Sequence, residues 1–166
     1  MPHLKIRFKH DKYQSERLVS SINQMLEANT LLSMATTCNS KSHINTAYYC
    51  YNPKMDLYIL TYPSSIHGKN LTKNTSVAIT IFDSKQKWDS SKKGLQLFGT
   101  CRPARGHELI EALSLYGRRF KGIKKWVKSI FDIKKLDSRF YIIKIERVKL
   151  FDESNFGEEN FITLHK

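Results

Sequence analysis

Thr61, Ser64, Ser65, His67 and Lys69 fall close together in the segment LYILTYPSSIHGKNLTKNTSVAITIF, residues 57–82. The segment reads as a strand, a polar basic turn, a short helix near residues 66–71 and a second apolar strand. Three hydroxyls, an imidazole and an ammonium therefore gather where a helix leaves its first backbone N–H groups without intrahelical acceptors, and such a place suits an anion, above all a phosphate. The competing reading is a surface turn whose polar residues cap a helix. Other chemistry is poorly supported. His3, His10, His43, His67, His107 and His165 show no metal-ligand spacing, and no His-Glu-x-x-His motif occurs, so no metal site is expected. His43 cannot be paired from sequence with a carboxylate that would make it a general base.

The elements that must position these residues follow from periodicity. Residues 13–29 place Leu18, Ile22, Met25 and Leu26 at spacings of three and four, with Ser15 available to cap and Asn29 to stop, which predicts an amphipathic helix. Residues 31–37 and 42–51, separated by Asn39-Ser40-Lys41, read as a hairpin. Asn52-Pro53 breaks the second strand and residues 55–61 open a third. Residues 76–82 and 95–101 are strands expected to pair antiparallel, joined by the polar loop DSKQKWDSSKKG. Residues 106–116 are helical by period. Residues 139–151 alternate as a strand, and 161–164 read as a last edge strand. Many antiparallel strands broken by short helices predict an α+β fold, mainly β, built on a closed or partly closed barrel that removes exposed edges.

A chain of 166 residues, 40% hydrophobic, fits a single domain with a substantial core. The expected division is an N-terminal helix at about 13–29, a barrel at about 31–151 and a C-terminal edge segment at about 152–166. Residues 1–15 have no apolar run or cleavage site, and no stretch is apolar enough to span a bilayer, so a soluble cytoplasmic protein is expected. Cys38, Cys50 and Cys101 lack Cys-x-x-Cys spacing and read as reduced thiols. Twenty-eight Lys and Arg against fifteen Asp and Glu give a net charge of +13, gathered in residues 5–12, 85–93 and 118–135. A field of that sign attracts phosphorylated cofactors, nucleic acid or anionic lipid without choosing among them. Arg118, Arg119, Lys121, Lys124, Lys125 and Lys128, interleaved with Phe120 and Trp126, could form a nucleic-acid surface. A solvated basic helix face over an apolar seam accounts for the same pattern.

The order of strand, Thr, Pro-Ser-Ser, x-His-Gly-Lys-x-Leu and an Asn-containing turn before an apolar strand resembles the FMN-binding split-barrel family, which includes the pyridoxamine 5'-phosphate oxidases. GLQLFGTCRPARGHELIEAL, residues 94–113, resembles that family's next strand and helix, and the likeness spans about residues 31–115. The C-terminal part is similar to the tail of a smaller, poorly characterised subgroup. The resemblance implies a six-stranded antiparallel split barrel with flanking helices, forming a homodimer with the cofactor at the subunit interface.

It also implies a flavin phosphate held by Thr61, Ser64, Ser65, His67 and Lys69. Ile66 stands where a phosphate-binding Arg is common and His67 where a Lys is common, which removes a bidentate guanidinium. The strand at residues 43–49 would lie under the flavin, making Asn45, Thr46 and Ala47 candidates. Gln96 could reach the ring edge or the partner subunit, and Trp88 could fold over a bound ring. Each has a plainer reading as a core, surface or interface residue of its strand or loop. The implied function is a flavin-dependent oxidoreductase acting on a small molecule. Pyridoxamine phosphate oxidation is disfavoured, because FGEENFITLHK lacks the Arg-x-His element of the true oxidases. Relatives on this scaffold use haem or a deazaflavin, and a non-catalytic basic module for nucleic acid or an acidic partner is the alternative from another class.

Overall fold

The computed structural model describes residues 2–122 and 137–166. An extended N-terminal segment leads to α1 (Ser15–Ala28), followed by β1 (Leu31–Cys38), β2 (Lys41–Tyr51), β3 (Leu57–Thr61), α2 (Ile66–Leu71), β4 (Ser76–Phe82), β5 (Lys93–Pro103), α3 (His107–Arg119), β6 (Arg139–Asp152), α4 (Glu153–Phe156) and β7 (Phe161–His165). All strand pairs are antiparallel. The order is β3-β2-β1-β4-β5-β6-β7, and β3 pairs again with the first residues of β6, closing six strands into a ring. β7 then continues along the same edge of β6, from Arg147 to Phe151. This is the six-stranded split barrel, extended by the edge strand.

Local chemistry accounts for most boundaries. Asn39 and Ser40 both have positive φ, as a two-residue hairpin turn between twisted strands requires. Met55, at φ 60°, turns the chain after β2, so β3 starts two residues later than the periodicity predicts. Asn29 stops α1, its backbone and side-chain N–H groups both donating to the Met25 carbonyl. Ser15 does not cap the helix: its hydroxyl accepts from the Phe8 N–H at 3.0 Å and ties down the N-terminal segment, while Gln14 occupies the cap position without a side-chain bond. α4, begun by Asp152 accepting from the Asn155 N–H, has no counterpart in the sequence reading.

Alternation sets the two faces of the sheet. Inward residues, among them Leu32, Met34, Ile59, Ile79, Leu97, Ile143 and Leu150, form the barrel core, and Leu18, Ile22 and Leu26 of α1 close one end with no exposed surface. Each such side chain contributes roughly 1.5–3 kcal/mol by burial. α3 packs Ala112, Leu115 and Tyr116 outside the barrel, against Cys50, Tyr58, Phe140 and Ile142. A bulge in the β5–β6 pairing lies at Phe98/Gly99. There a Cβ on Gly99 would stand 1.9 Å from the Lys144 carbonyl oxygen, so glycine is the residue that allows the two backbones to meet. Cys38, Cys50 and Cys101 are free thiols, and burial pushes Cys101 up to about 12. No helix among the described residues is long and apolar enough to cross a membrane.

Candidate functional site

β2 pairs with β1 from Lys41 to Tyr48 and with β3 only from Tyr49 to Tyr51. From Ser42 to Tyr48 the other edge of β2 therefore has no strand beside it among the described residues. α2 approaches this gap. The rings of His43, on β2, and His67, on α2, lie nearly parallel with centroids 6.0 Å apart. His67 Nε2 and Thr61 Oγ1 share a hydrogen bond of 2.6 Å, tying α2 to the end of β3. The Asn70 amide donates to Thr36 Oγ1 at 3.1 Å, tying the same helix to β1. Gly68 lets the turn before α2 fold back tightly on the helix, since a Cβ there would meet the carbonyl oxygens of Pro63 and Tyr62 at 2.5 and 2.6 Å.

The sequence-predicted residues divide within this frame. Ser65 is the N-cap of α2, its hydroxyl donating to the Tyr62 carbonyl at 2.6 Å and accepting from the Gly68 N–H at 3.1 Å. The Lys69 N–H bonds the Ser65 carbonyl, so the first turn of the helix satisfies much of its own donor set. Ser64 and Lys69 are exposed, with side chains that make no hydrogen bond or ion pair among the described residues. Thr61 is buried. His67 is not the cation the sequence suggests: burial first, and the neighbouring His43 second, hold its pKa below the usual 6.5, so it is neutral at neutral pH.

Alternation sends the side chains of Asn45, Thr46 and Ala47 to opposite faces of β2. Asn45 and Ala47 point inward, opposite Met34 and Leu32, whereas Thr46 points outward to share a 3.2 Å hydrogen bond with Ser33. The side-chain oxygen of Asn45 is buried and has no hydrogen-bond partner. Gln96 is exposed on the outer face of β5, between Thr80 and Lys149, with β4 and β1 separating it from β2. Trp88 is 94% exposed, with the Lys92 ammonium 5.9 Å from its ring centroid. In the basic stretch, Arg118 and Arg119 extend α3; Lys124, Lys125, Trp126 and Lys128 lie outside the described residues.

One residue beside the site escaped the sequence reading. Arg139, the first residue of β6, stands directly across from Thr61 in the β3–β6 pairing, on the same side of the sheet. An arginine thus stands in the strand beside the turn whose Ile66 lacks one, its Nη1 donating to the Ser138 carbonyl at 2.9 Å. No local signal announces it, since the pairing joins residues far apart in sequence; only the rule that closure brings the last long strand beside β3 could have found it.

No protein-family model matches the chain, and no curated protein matches it. Solved structures do match. A Clostridium acetobutylicum protein related to a general stress protein, of the pyridoxinephosphate oxidase family, aligns over 90% of this chain and 94% of its own at TM-score 0.65 and 16% identity. The chain has the split-barrel fold of the pyridoxamine 5'-phosphate oxidase-like proteins. Two further structural matches are cofactor-binding proteins. A FAD-binding protein from Mesorhizobium loti aligns over 76% of this chain and 88% of its own, at TM-score 0.57 and 20% identity. A heme-binding protein from Mycobacterium smegmatis aligns over 88% of this chain at TM-score 0.68 and 16% identity, but this chain spans only 57% of it.

Proposed function

We propose that this split barrel binds FMN and works as a flavin-dependent oxidoreductase on a small molecule, as a homodimer with the cofactor at the subunit contact. The observation that carries the reading is the gap itself. An unpaired strand edge, with the orphaned Asn45 oxygen behind it, ends beside the hydroxyls of Thr61 and Ser64, the ammonium of Lys69 and the guanidinium of Arg139. Hydroxyl donors and two cations fit a phosphate monoester, and a buried acceptor fits an N–H of a flat polar ring. Bound FMN would supply hydride transfer, which asks the chain for placement and electrostatics rather than for a catalytic acid or base. Lys69 and Arg139 would hold the phosphate, neutral His67 would fix Thr61, and Asn45 would orient the ring. Exposed Leu31, Ile44 and Tyr48, on the outer face of β1 and β2, supply the apolar surface for a second copy.

The test is titration of the dialysed protein with FMN, followed by quenching of flavin fluorescence. Saturation at one FMN per chain, lost in Lys69→Glu, supports the reading; no quenching at any protein concentration removes it. A second reading, haem, draws on the stacked His43 and His67, because a neutral imidazole is an iron ligand. A Soret band on adding haem that disappears in His67→Ala would favour it, and an unchanged haem spectrum in that variant would exclude this ligand.

A further inference from the structure

The outer face of β5, β6 and β7 carries a second pattern, remote from the gap. Register places three cross-strand rows there: Phe82–Gly94–Phe151–Phe161, Thr80–Gln96–Lys149–Thr163, and Ala78–Phe98–Arg147–His165. Aromatic rows thus flank a polar row. The Arg147 guanidinium lies 4.1 Å from the Phe98 ring centroid, and the Lys149 ammonium 4.4 Å from that of Phe161. Neither cation has an acidic partner among the described residues, where the ion pairs take Lys93, Arg102, Lys144 and Lys166 instead. Phe82 and Phe161 are half exposed, at 49% and 52%. The loop that leaves the first row adds Lys85, Lys87 and the 94%-exposed Trp88. Beyond the third row a groove of about 540 Å³ opens over the small residues Ala35, Ala78 and Gly99, with Thr100, Arg147 and His165 among its lining.

We propose that this face binds single-stranded nucleic acid, with bases stacked on Phe161, Phe82 and Trp88 and phosphates on Arg147 and Lys149. Aromatic rings interleaved with unpaired cations on an open sheet suit a flexible polyanion that exposes flat bases. A duplex keeps its bases stacked inside and would use the cations alone. A hydrophobic partner would leave both charges without a counter-ion at its centre. The net charge of +13 adds long-range attraction of the same sign.

The test measures anisotropy of a labelled oligothymidylate on the full chain at several salt concentrations. Affinity is expected to fall with salt, and Arg147→Glu/Lys149→Glu to weaken binding more than tenfold. Removing two phosphate contacts should also lower the log–log salt slope by about 1.4. Phe161→Ala, which leaves the charge unchanged, should cost about tenfold with the slope intact. FMN titration of the charge-reversal variant should match wild type, which separates this face from the proposed flavin site. Oligonucleotide binding that is salt-insensitive, equal for duplex, or unchanged in the charge-reversal variant overturns the proposal. So does the absence of binding, and conversion of a wild-type dimer to a monomer by the same substitutions would then make this face a contact between copies.

Discussion

Lys69 and His67 divide between them the charge and the proton at the mouth of the gap. Lys69→Glu reverses the exposed charge while leaving the Ser65 cap and the Thr61–His67 bond in place, so its fold should survive and its FMN affinity should fall more than a hundredfold, read by fluorescence titration. His67 makes a different statement. Its pKa lies below 6.5 in the folded chain, so the unfolded state binds more protons as pH falls through that value, and the stability of the neutral imidazole is lost on the acid side. A phosphate dianion bound beside the ring would favour its protonated form, so the pH dependence of FMN affinity should carry a proton taken up at His67 beyond that of the phosphate's own second ionisation. His67→Gln should remove that added proton. An identical pH profile in the variant would show that the phosphate does not sense His67. Asp56 is the acid counterpart. Burial alone would raise its pKa, but hydrogen bonds from Lys144 at 2.7 Å and Lys166 at 3.0 Å outweigh that and hold it below 3.8. Its contribution is therefore complete above that value and lost as pH falls through the lower folded pKa. Asp56→Asn should cost about 1–3 kcal/mol at neutral pH, with the difference from wild type shrinking as thermal melts are taken below pH 4.

At the level of elements, the strands were legible because alternation survives burial on one face. β4 lies where residues 76–82 place it, and β6 and β7 each run one residue beyond their expected ends. What could not be read was the partnership between distant elements. Arg119 shows why. By sequence it belongs to a basic run. In the fold its Nη2 donates to the carbonyls of Leu26, at 2.8 Å, and Asn29, completing the C-terminus of α1, while its guanidinium lies over the rings of Tyr49 and Tyr51. One side chain of α3 thus caps another helix and covers the start of the barrel. Arg119→Met keeps much of the packing but removes the guanidinium from the Asn29 carbonyl, while the Leu26 carbonyl keeps the Tyr49 hydroxyl at 2.9 Å, and should lower stability by roughly 1–3 kcal/mol in urea unfolding. Gly99→Ala tests a contact no periodicity reveals. With the Lys144 oxygen 1.9 Å from the new Cβ, β5 or β6 must move, and a loss of about 2 kcal/mol or more is expected. A melting temperature equal to wild type would mean that the bulge yields without cost.

On the scale of the whole molecule, the two outer faces of the barrel differ in kind, and the difference bears on assembly. β5 to β7 present cations among aromatics, whereas β1 and β2 present Leu31, Ile44 and Tyr48 without a charge among them, Leu31 lying opposite Tyr48 and Ile44 opposite Ala35 in the register. A chain with net charge +13 resists self-association at long range, so a dimer must gain from apolar contact what it loses to repulsion. The β1–β2 face is where that gain is available. Ile44, 65% exposed, is the most open of the three. Ile44→Glu should leave the fold intact, because the side chain already meets solvent in the single chain, yet it would bury a charge at the proposed subunit contact. Sedimentation should show a wild-type dimer and a monomeric variant, with a dimer constant that strengthens as salt screens the like charge. If the cofactor lies at that contact, FMN affinity should fall with the dimer. A variant that is monomeric and binds FMN as wild type would confine the site to one chain, and a wild-type monomer at high salt would remove the dimer.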